Sequence, residues 1–259
     1  MTPRWRQRRS VLAPWSARLA SLSIPVLIIA GVGHRARIID ATPTYGAMAL
    51  GFAIAGLAVL AAVGAFVAIW RDGRKGAGAA TLGFLLGLAV LAIPAVGAWR
   101  IVVYPPLIDI ATDPRNPVPF AMARTDRAAA DAPIADPSEP AIALQEGAYP
   151  DIVPRHYPVD TDRVYDDAAA IVERRGWAVL DARPPTEVDG SGRIEAVATT
   201  LLFAFRHDVV ILVAPDREGA LVHMRSAARN GGHDLGANAE RIRAFFADLD
   251  DALQGIGGA

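Results

Sequence analysis

Two long stretches without a formal charge constrain this chain more than any other feature: thirty residues from Ala41 to Trp70 and twenty-four from Gly76 to Trp99. A helix rises 1.5 Å per residue, so each run can cross about 30 Å of hydrocarbon. A bilayer core offers no water to unpaired N–H and C=O groups, which makes a helix the natural form for such a run. The lengths predict transmembrane helices over about 44–70 and 77–99. A third span, over about 11–33, is less clean, because Leu19 to Gly33 is charge-free for only fifteen residues. It reaches full length by taking in Val11 to Ala17 and letting Arg18 extend toward the headgroups. A cleaved signal peptide is the alternative; no small-x-small site precedes His34-Arg35-Ala36-Arg37, so an uncleaved helix is expected.

The charges divide the chain at the same place. Residues 1–103 carry 11 Lys+Arg and 2 Asp+Glu, and residues 104–259 carry 15 and 25. A basic, apolar anchor therefore precedes an acidic, water-soluble part of ordinary domain size. An acidic surface repels phosphate, which argues against nucleic acid or an anionic lipid surface as its partner. The chain has no cysteine, which excludes disulfides, thiolate catalysis and Cys-ligated zinc. Arg4, Arg6, Arg8, Arg9, Arg18, Arg71, Arg74 and Lys75 flank one end of the expected bundle, against Arg35 and Arg37 at the other. The positive-inside rule then puts the N-terminus in the cytoplasm and the acidic part outside. With 25 Arg to one Lys and abundant Ala, the chain reads as bacterial, so "outside" is the periplasm and the membrane is the inner one.

Transporters and proton pumps need ionisable groups at mid-membrane; the second and third spans have none and the first has only Ser21 and Ser23. An anchor is expected rather than a conduit. Gly83 and Gly87, with Ala47 and Gly51, read as close-packing positions within the bundle, with dimerisation as the rival reading.

Eleven of the nineteen prolines lie between Tyr104 and Pro158. Proline removes an N–H and blocks helix interiors, so 104–158 is expected to run extended and pack on the domain that follows. From residue 159 the signals are regular. Asp160 to Asp162 start a helix, Val164, Ala168, Ile171 and Val172 form its apolar stripe, and Gly176 ends it. Short strands follow at Trp177–Asp181, Arg193–Phe205, Asp208–Ala214 and Gly219–Ala227, the middle pair joined by a tight turn at Arg206-His207. Ile242, Phe245, Phe246, Leu249 and Leu253 mark a last amphipathic helix. The expected fold is α+β: a three-helix anchor, then a small antiparallel sheet of about four strands covered on one face by two helices.

The stretch Arg225-Ser226, Arg229, Gly231, Asp234-Leu235-Gly236, Asn238 and Arg241-Ile242 resembles the signature RSxSRxGxSDxGxNxxRI of the bacterial domain of unknown function 1499. Asp109 to Pro114, Tyr149-Pro150-Asp151, Arg193 to Ala196 and Phe205 to Val210 match the same pattern, so the resemblance covers about 107–250. Ala228 and His233 stand where that signature has Ser. The resemblance implies an envelope location and supplies no reaction.

The candidate ligand-binding residues are therefore argued physically: Arg225, Ser226, Arg229, Asp234, Asn238 and Arg241. Alternation along the last strand puts Leu221, His223, Arg225 and Ala227 on one face and Val222, Met224 and Ser226 on the other, and the Arg225 face is expected to be less protected. In the structural reading, Arg229 pairs with Asp234, Asp234 caps the last helix and Asn238 bonds the backbone of the last strand. In the binding reading, Arg225, Arg229 and the helix N-terminus form an anion pocket. A hydrolytic site using His233 or His223 with Asp234 or Glu195 has no supporting spacing such as HExxH. No cofactor or metal is expected. The functional expectation is a non-catalytic periplasmic module that binds an envelope protein or a small anionic component; an envelope hydrolase or transferase near Arg229, His233 and Asp234, and a purely structural scaffold, are the alternatives.

Overall fold

The structure, a computed structural model, describes residues 8–187 and 189–254. Arg4 and Arg6, used above for orientation, lie outside the described residues. Those described fall into two compact units, one running to Trp99 and including Leu202–Ala204, the other made of Arg100–Leu201 and the chain from Phe205 onward.

The first unit holds three helices long and apolar enough to cross a membrane: α1 (Leu12–Arg35), α2 (Ala41–Asp72) and α3 (Ala77–Val103). Their mutual contacts are made by small residues, with Ala13, Ala55, Ala65 and Ala80 fully buried. A Cβ at Gly83 would stand 2.5 Å from the backbone carbon of Ser16 on α1, and one at Gly87 3.2 Å from the carbonyl of Ala55 on α2. Both glycines of the GxxxG pair therefore serve close packing inside the bundle. Ser10 and Lys75 exchange backbone hydrogen bonds with their neighbours, Ser10 N–H to Lys75 O and Lys75 N–H to Arg8 O. The residues before α1 and the basic loop after α2 thus share one end of the bundle.

The second unit is mixed α+β. Its sheet is antiparallel and has six strands: β1 (Asp109–Ala111), β2 (Arg155–Tyr157), β3 (Ala178–Arg183), β4 (Gly192–Thr199), β5 (Arg206–Asp216) and β6 (Gly219–Ala228). Three of the four expected strands fall close to their places; the turn between the middle pair does not. Arg206 and His207 belong to β5, and the connection is Thr200–Phe205, closed by Phe205 N–H to Thr200 Oγ1 and Thr200 N–H to Phe205 O. The run Leu201-Leu202-Phe203 is β-prone by composition, but the register pairs Thr199 with Arg206 and leaves that run outside the ladder.

Two strands come from the proline-rich segment. β1 and β2 pair end to end along the outer edge of β6, so two three-residue pieces cover an edge that would otherwise be open. The same segment also forms the short helices α4 (Met122–Asp126) and α5 (Glu139–Ala148), the latter entered through Pro140, where proline costs no hydrogen bond. It is therefore not extended throughout.

Helices α6 (Thr161–Arg174) and α7 (Ala237–Gln254) pack on one face of the sheet, burying Val164, Ile171, Ile242, Phe245 and Leu249 against Ile194, Val209, Ile211, Val213, Val222 and Met224. Gly176, at φ +65, ends α6 as the sequence requires, its N–H bonding Glu173 O. The other face of the sheet is roofed by part of the proline-rich segment, where Val118, Phe120 and Ala123 pack on Val210 and Ala227.

Candidate functional site

On the helix-covered face the polar residues converge on Asn238. Its Nδ2 donates to Ile108 O at 2.9 Å, which fixes the amide so that Oδ1 faces inward. That oxygen accepts from Ser226 Oγ at 2.8 Å, Arg241 Nη1 at 2.8 Å and His207 Nδ1 at 2.9 Å. Arg241 Nη1 also donates to Ser226 Oγ at 3.0 Å. One side-chain amide therefore ties α7 to β5, β6 and the residue before β1. Burial, and then the positive charge of Arg241, push the His207 imidazole down to about 3, so it is neutral throughout the physiological range. Burial also lowers Arg241 to about 10, which leaves it cationic at neutral pH.

Asp234 sits ahead of α7. Its Oδ1 accepts from Gly236 N–H at 2.9 Å and its Oδ2 from Asn238 N–H at 2.7 Å, so the carboxylate already occupies the helix N-terminus. Burial raises its pKa against these bonds. His233 closes the same turn. Its Nδ1 accepts Leu235 N–H at 2.9 Å and, in the tautomer this requires, Nε2–H donates to Tyr104 O at 3.1 Å.

The opposite face carries four buried charges in one neighbourhood: Glu195, Asp208, Arg225 and Arg229. Each is matched by the roof segment or by a neighbouring strand. Arg225 makes a two-pronged contact with Asp109, Nε to Oδ1 at 3.0 Å and Nη2 to Oδ2 at 2.7 Å, donates to Val118 O and Ala135 O, and lies over the Phe120 ring. Arg229 donates from Nε to Asp208 Oδ1 at 2.9 Å and from Nη2 to Asp126 Oδ2 at 2.7 Å. Asp208 in turn accepts from Arg127 Nε at 2.7 Å, and Asp126 from Arg206 Nη2 at 2.8 Å. Glu195 accepts the N–H groups of Ala121 and Ala123 at 2.8 and 3.0 Å and pairs with Arg193. Burial pushes the Glu195 carboxyl up, but Arg193 and the two N–H groups outweigh it and hold it below the usual carboxylate range. For Asp208 burial wins, and its pKa is raised in spite of both arginines.

These contacts form a clasp. Charges planted on β4, β5 and β6 grip a segment whose prolines deprive it of regular backbone pairing, and the buried charges are neutralised in the process.

A family model described as "Protein of unknown function (DUF1499)" matches residues 109–249, more than half of the chain. The chain belongs to this family. No curated protein matches it. The DUF1499 match begins at Asp109, the partner of Arg225, so the boundary of the family takes in both halves of the clasp.

Several expectations for the DUF1499 signature residues are corrected by this geometry. Arg225 is not on a less protected face: it is 1% exposed, because the roof covers that face. Arg229 pairs with Asp208 and Asp126 rather than Asp234, since it continues the alternation Arg225, Ala227, Arg229 onto the roofed side while Asp234 lies beyond the turn at α7. Asn238 bonds Ile108 O and the Ser226 side chain, not the backbone of β6. The anion pocket of Arg225, Arg229 and the helix N-terminus does not assemble: both arginines are engaged by carboxylates and Asp234 fills the helix end. Ser226, Asn238 and Arg241 are brought together, but around one another.

Sequence reasoning missed Asp109, Asp126, Arg127 and Asp208. One signal was available for Asp208, a carboxylate preceding the apolar run Val209 to Val213 in a strand predicted to be half-buried. Nothing local to Asp126 or Arg127 marks them as partners of a strand eighty residues away.

Away from these clusters a cleft of about 400 Å³ opens between the turn after β1 and the segment joining α5 to β2. Pro114, Tyr149, Pro150, Ile152, Val153 and Pro154 give it apolar walls. Asp113 and Glu146 stand at its rim, the first closing a turn with Arg115 N–H and Asn116 N–H, the second held by Arg115 Nε at 2.8 Å.

Proposed function

We propose that this protein is a bacterial inner-membrane protein that holds its DUF1499 domain in the periplasm as a non-catalytic binding module. One observation carries the reading: the polar signature residues are consumed in holding the domain together, while a cleft walled by proline, tyrosine and aliphatic groups opens elsewhere on the domain. None of the residues lining that cleft is cationic, which favours a protein segment over a small anionic envelope component. The purely scaffolding alternative explains the clasp and leaves the cleft without a role. The hydrolase or transferase alternative needs Arg229, His233 and Asp234 to act on one substrate, yet Arg229 faces the roof and both ring nitrogens of His233 are occupied.

The orientation, N-terminus in the cytoplasm, is supported by Arg8, Arg9, Arg71, Arg74 and Lys75 standing at one end of the bundle. An alkaline phosphatase fusion after Ala259 should be active; an inactive, full-length fusion overturns the placement. Binding is tested in cells with a photo-crosslinking residue at Val153, in the cleft, or at Val179, on β3. A discrete adduct from position 153, absent from 179 and unaffected by His233→Ala, is expected. No adduct at 153, or one equal at both positions, counts against the cleft; a folded His233→Ala protein that loses its cellular role moves the case to the enzyme.

A further inference from the structure

The basic residues at one end of the helical unit have a geometry that a count of charges does not express. Ser10 N–H donates to Lys75 O at 2.9 Å and Lys75 N–H to Arg8 O at 3.0 Å, a parallel bridge that pairs Arg9 with Lys75. Residues paired in this way stand about 5 Å apart and point to the same side. The backbone therefore holds two exposed cations side by side. Like charges placed directly opposite one another are destabilising, and a counter-charge between them removes the cost. The chain supplies none. Of the two acids in residues 1–103, Asp40 lies between α1 and α2, at the other end of the bundle, and Asp72 is taken by Arg74 at 2.7 Å. Among the described residues, no carboxylate pairs with Arg8, Arg9, Arg71 or Lys75.

The bridge also gathers the starts of two helices. Ser10 Oγ accepts Ala13 N–H at 3.4 Å as α1 begins, and Gly76 O accepts Ala80 N–H at 3.1 Å as α3 begins. A Cβ on Gly76 would come within 2.9 Å of the Ala13 Cβ, so the two starts are packed together and the partial positive charge of both adds to that of the side chains. Tryptophan marks the depth. Trp15, in the first turn of α1, is 51% exposed, and Trp70, next to Arg71, is 92% exposed. Indole rings settle at the headgroup boundary, which puts the cations just beyond them in the layer of lipid phosphates.

We propose that this end of the bundle binds the phosphodiester of an anionic phospholipid, with Arg9 and Lys75 as its two fixed cations. The inference rests on the reading of α1–α3 as transmembrane. A lipid is favoured over a soluble anion because the site opens at headgroup depth, where phosphodiesters are concentrated. A zwitterionic lipid brings its own cation to the site and so gains less.

Full-length protein in maltoside micelles is offered phosphatidylglycerol and phosphatidylcholine of the same chain length in equal amounts, and the lipids retained are counted by native mass spectrometry. Wild type should keep phosphatidylglycerol in preference by about fivefold or more, the factor that one basic residue near an anionic surface supplies. Arg9→Gln combined with Lys75→Gln should abolish the preference, and Arg9→Lys combined with Lys75→Arg should keep it. Arg35→Gln combined with Arg37→Gln removes as much charge from the other end and should leave the preference as in wild type. Equal retention of the two lipids by wild type overturns the proposal, whatever the variants do. So does a preference that survives Arg9→Gln with Lys75→Gln, or that falls equally in the Arg35 and Arg37 variant. Displacement of phosphatidylglycerol from wild type by inorganic phosphate, but not by chloride at the same ionic strength, assigns the site to a soluble anion and overturns it as well. Retention in the membrane pellet after alkaline carbonate extraction tests the embedding of α1–α3 separately, whichever lipid is bound.

Discussion

His207 supplies the most quantitative consequence of the structure. Its imidazole is buried, donates to Asn238 Oδ1 and is pushed down to about 3, against an ordinary value of about 6.5. A group whose folded pKa is depressed adds stability above its unfolded pKa, and that stability is lost as pH falls toward the folded value. Between pH 7 and pH 5 the unfolded chain takes up most of a proton at this site while the folded chain takes up almost none. Linkage then gives a loss of about 2 kcal/mol over that interval. His207→Asn removes the titration and keeps a donor near the position of Nδ1. Urea unfolding of the full chain in maltoside micelles, followed by near-ultraviolet circular dichroism, measures the difference. Wild type should lose about 2 kcal/mol more than the variant between pH 7 and pH 5. Asp208 and Asp234, whose raised pKa values work in the opposite direction, are common to both proteins and cancel in the comparison. Equal pH dependence in the two proteins refutes the buried, neutral His207 and with it the hub at Asn238.

Two further substitutions probe the clasp and the anchor. Glu195→Gln keeps the shape but removes the charge that holds Arg193 and the N–H groups of Ala121 and Ala123, and should cost about 1–3 kcal/mol at pH 7. Because the Glu195 pKa is depressed, that gap should close as pH falls below about 4, where the wild-type carboxyl begins to protonate in the unfolded chain; a gap that persists at pH 3 argues against the charge as its source. Gly83→Ala drives a Cβ into Ser16 Oγ and to 2.5 Å from the Ser16 carbonyl carbon, so the thermal midpoint in micelles should fall by several degrees. Gly78→Ala, which meets nothing within 4 Å, should leave it unchanged, and equal midpoints would contradict the α1–α3 packing.

How much of this was legible in the sequence follows from the range of the interactions. Local signals sufficed for α6, where Asp160, an apolar stripe and Gly176 agree, and for the three long helices, where hydrocarbon thickness imposes length. Alternation along β6 placed Ser226 and Arg225 on opposite faces, as found. It could not say what covers the second face, because the roof is built from prolines and carbonyls with no periodicity, and so Arg225 was expected to be less protected. β1 and β2 are too short to alternate; β6 recruits them to cover its edge. The turn was displaced from Arg206-His207 because Leu201 to Phe203 carry strand-like composition on a loop. The crowded polar stretch from Arg225 to Arg241 suggested a site, yet its residues divide between a hub under α7 and a clasp on the opposite face.

The central claim is that the signature arginines fasten the roof to the sheet instead of facing a ligand, and the unfolding free energy of Arg229→Ala tests it most directly. Removing this fully buried guanidinium takes one arginine from Asp208 and one from Asp126, so stability should fall by about 3–5 kcal/mol, with part of the loss restored when Asp208→Asn is added. An Arg229→Ala protein within about 0.5 kcal/mol of wild type, the level of an ordinary surface substitution, would contradict the clasp.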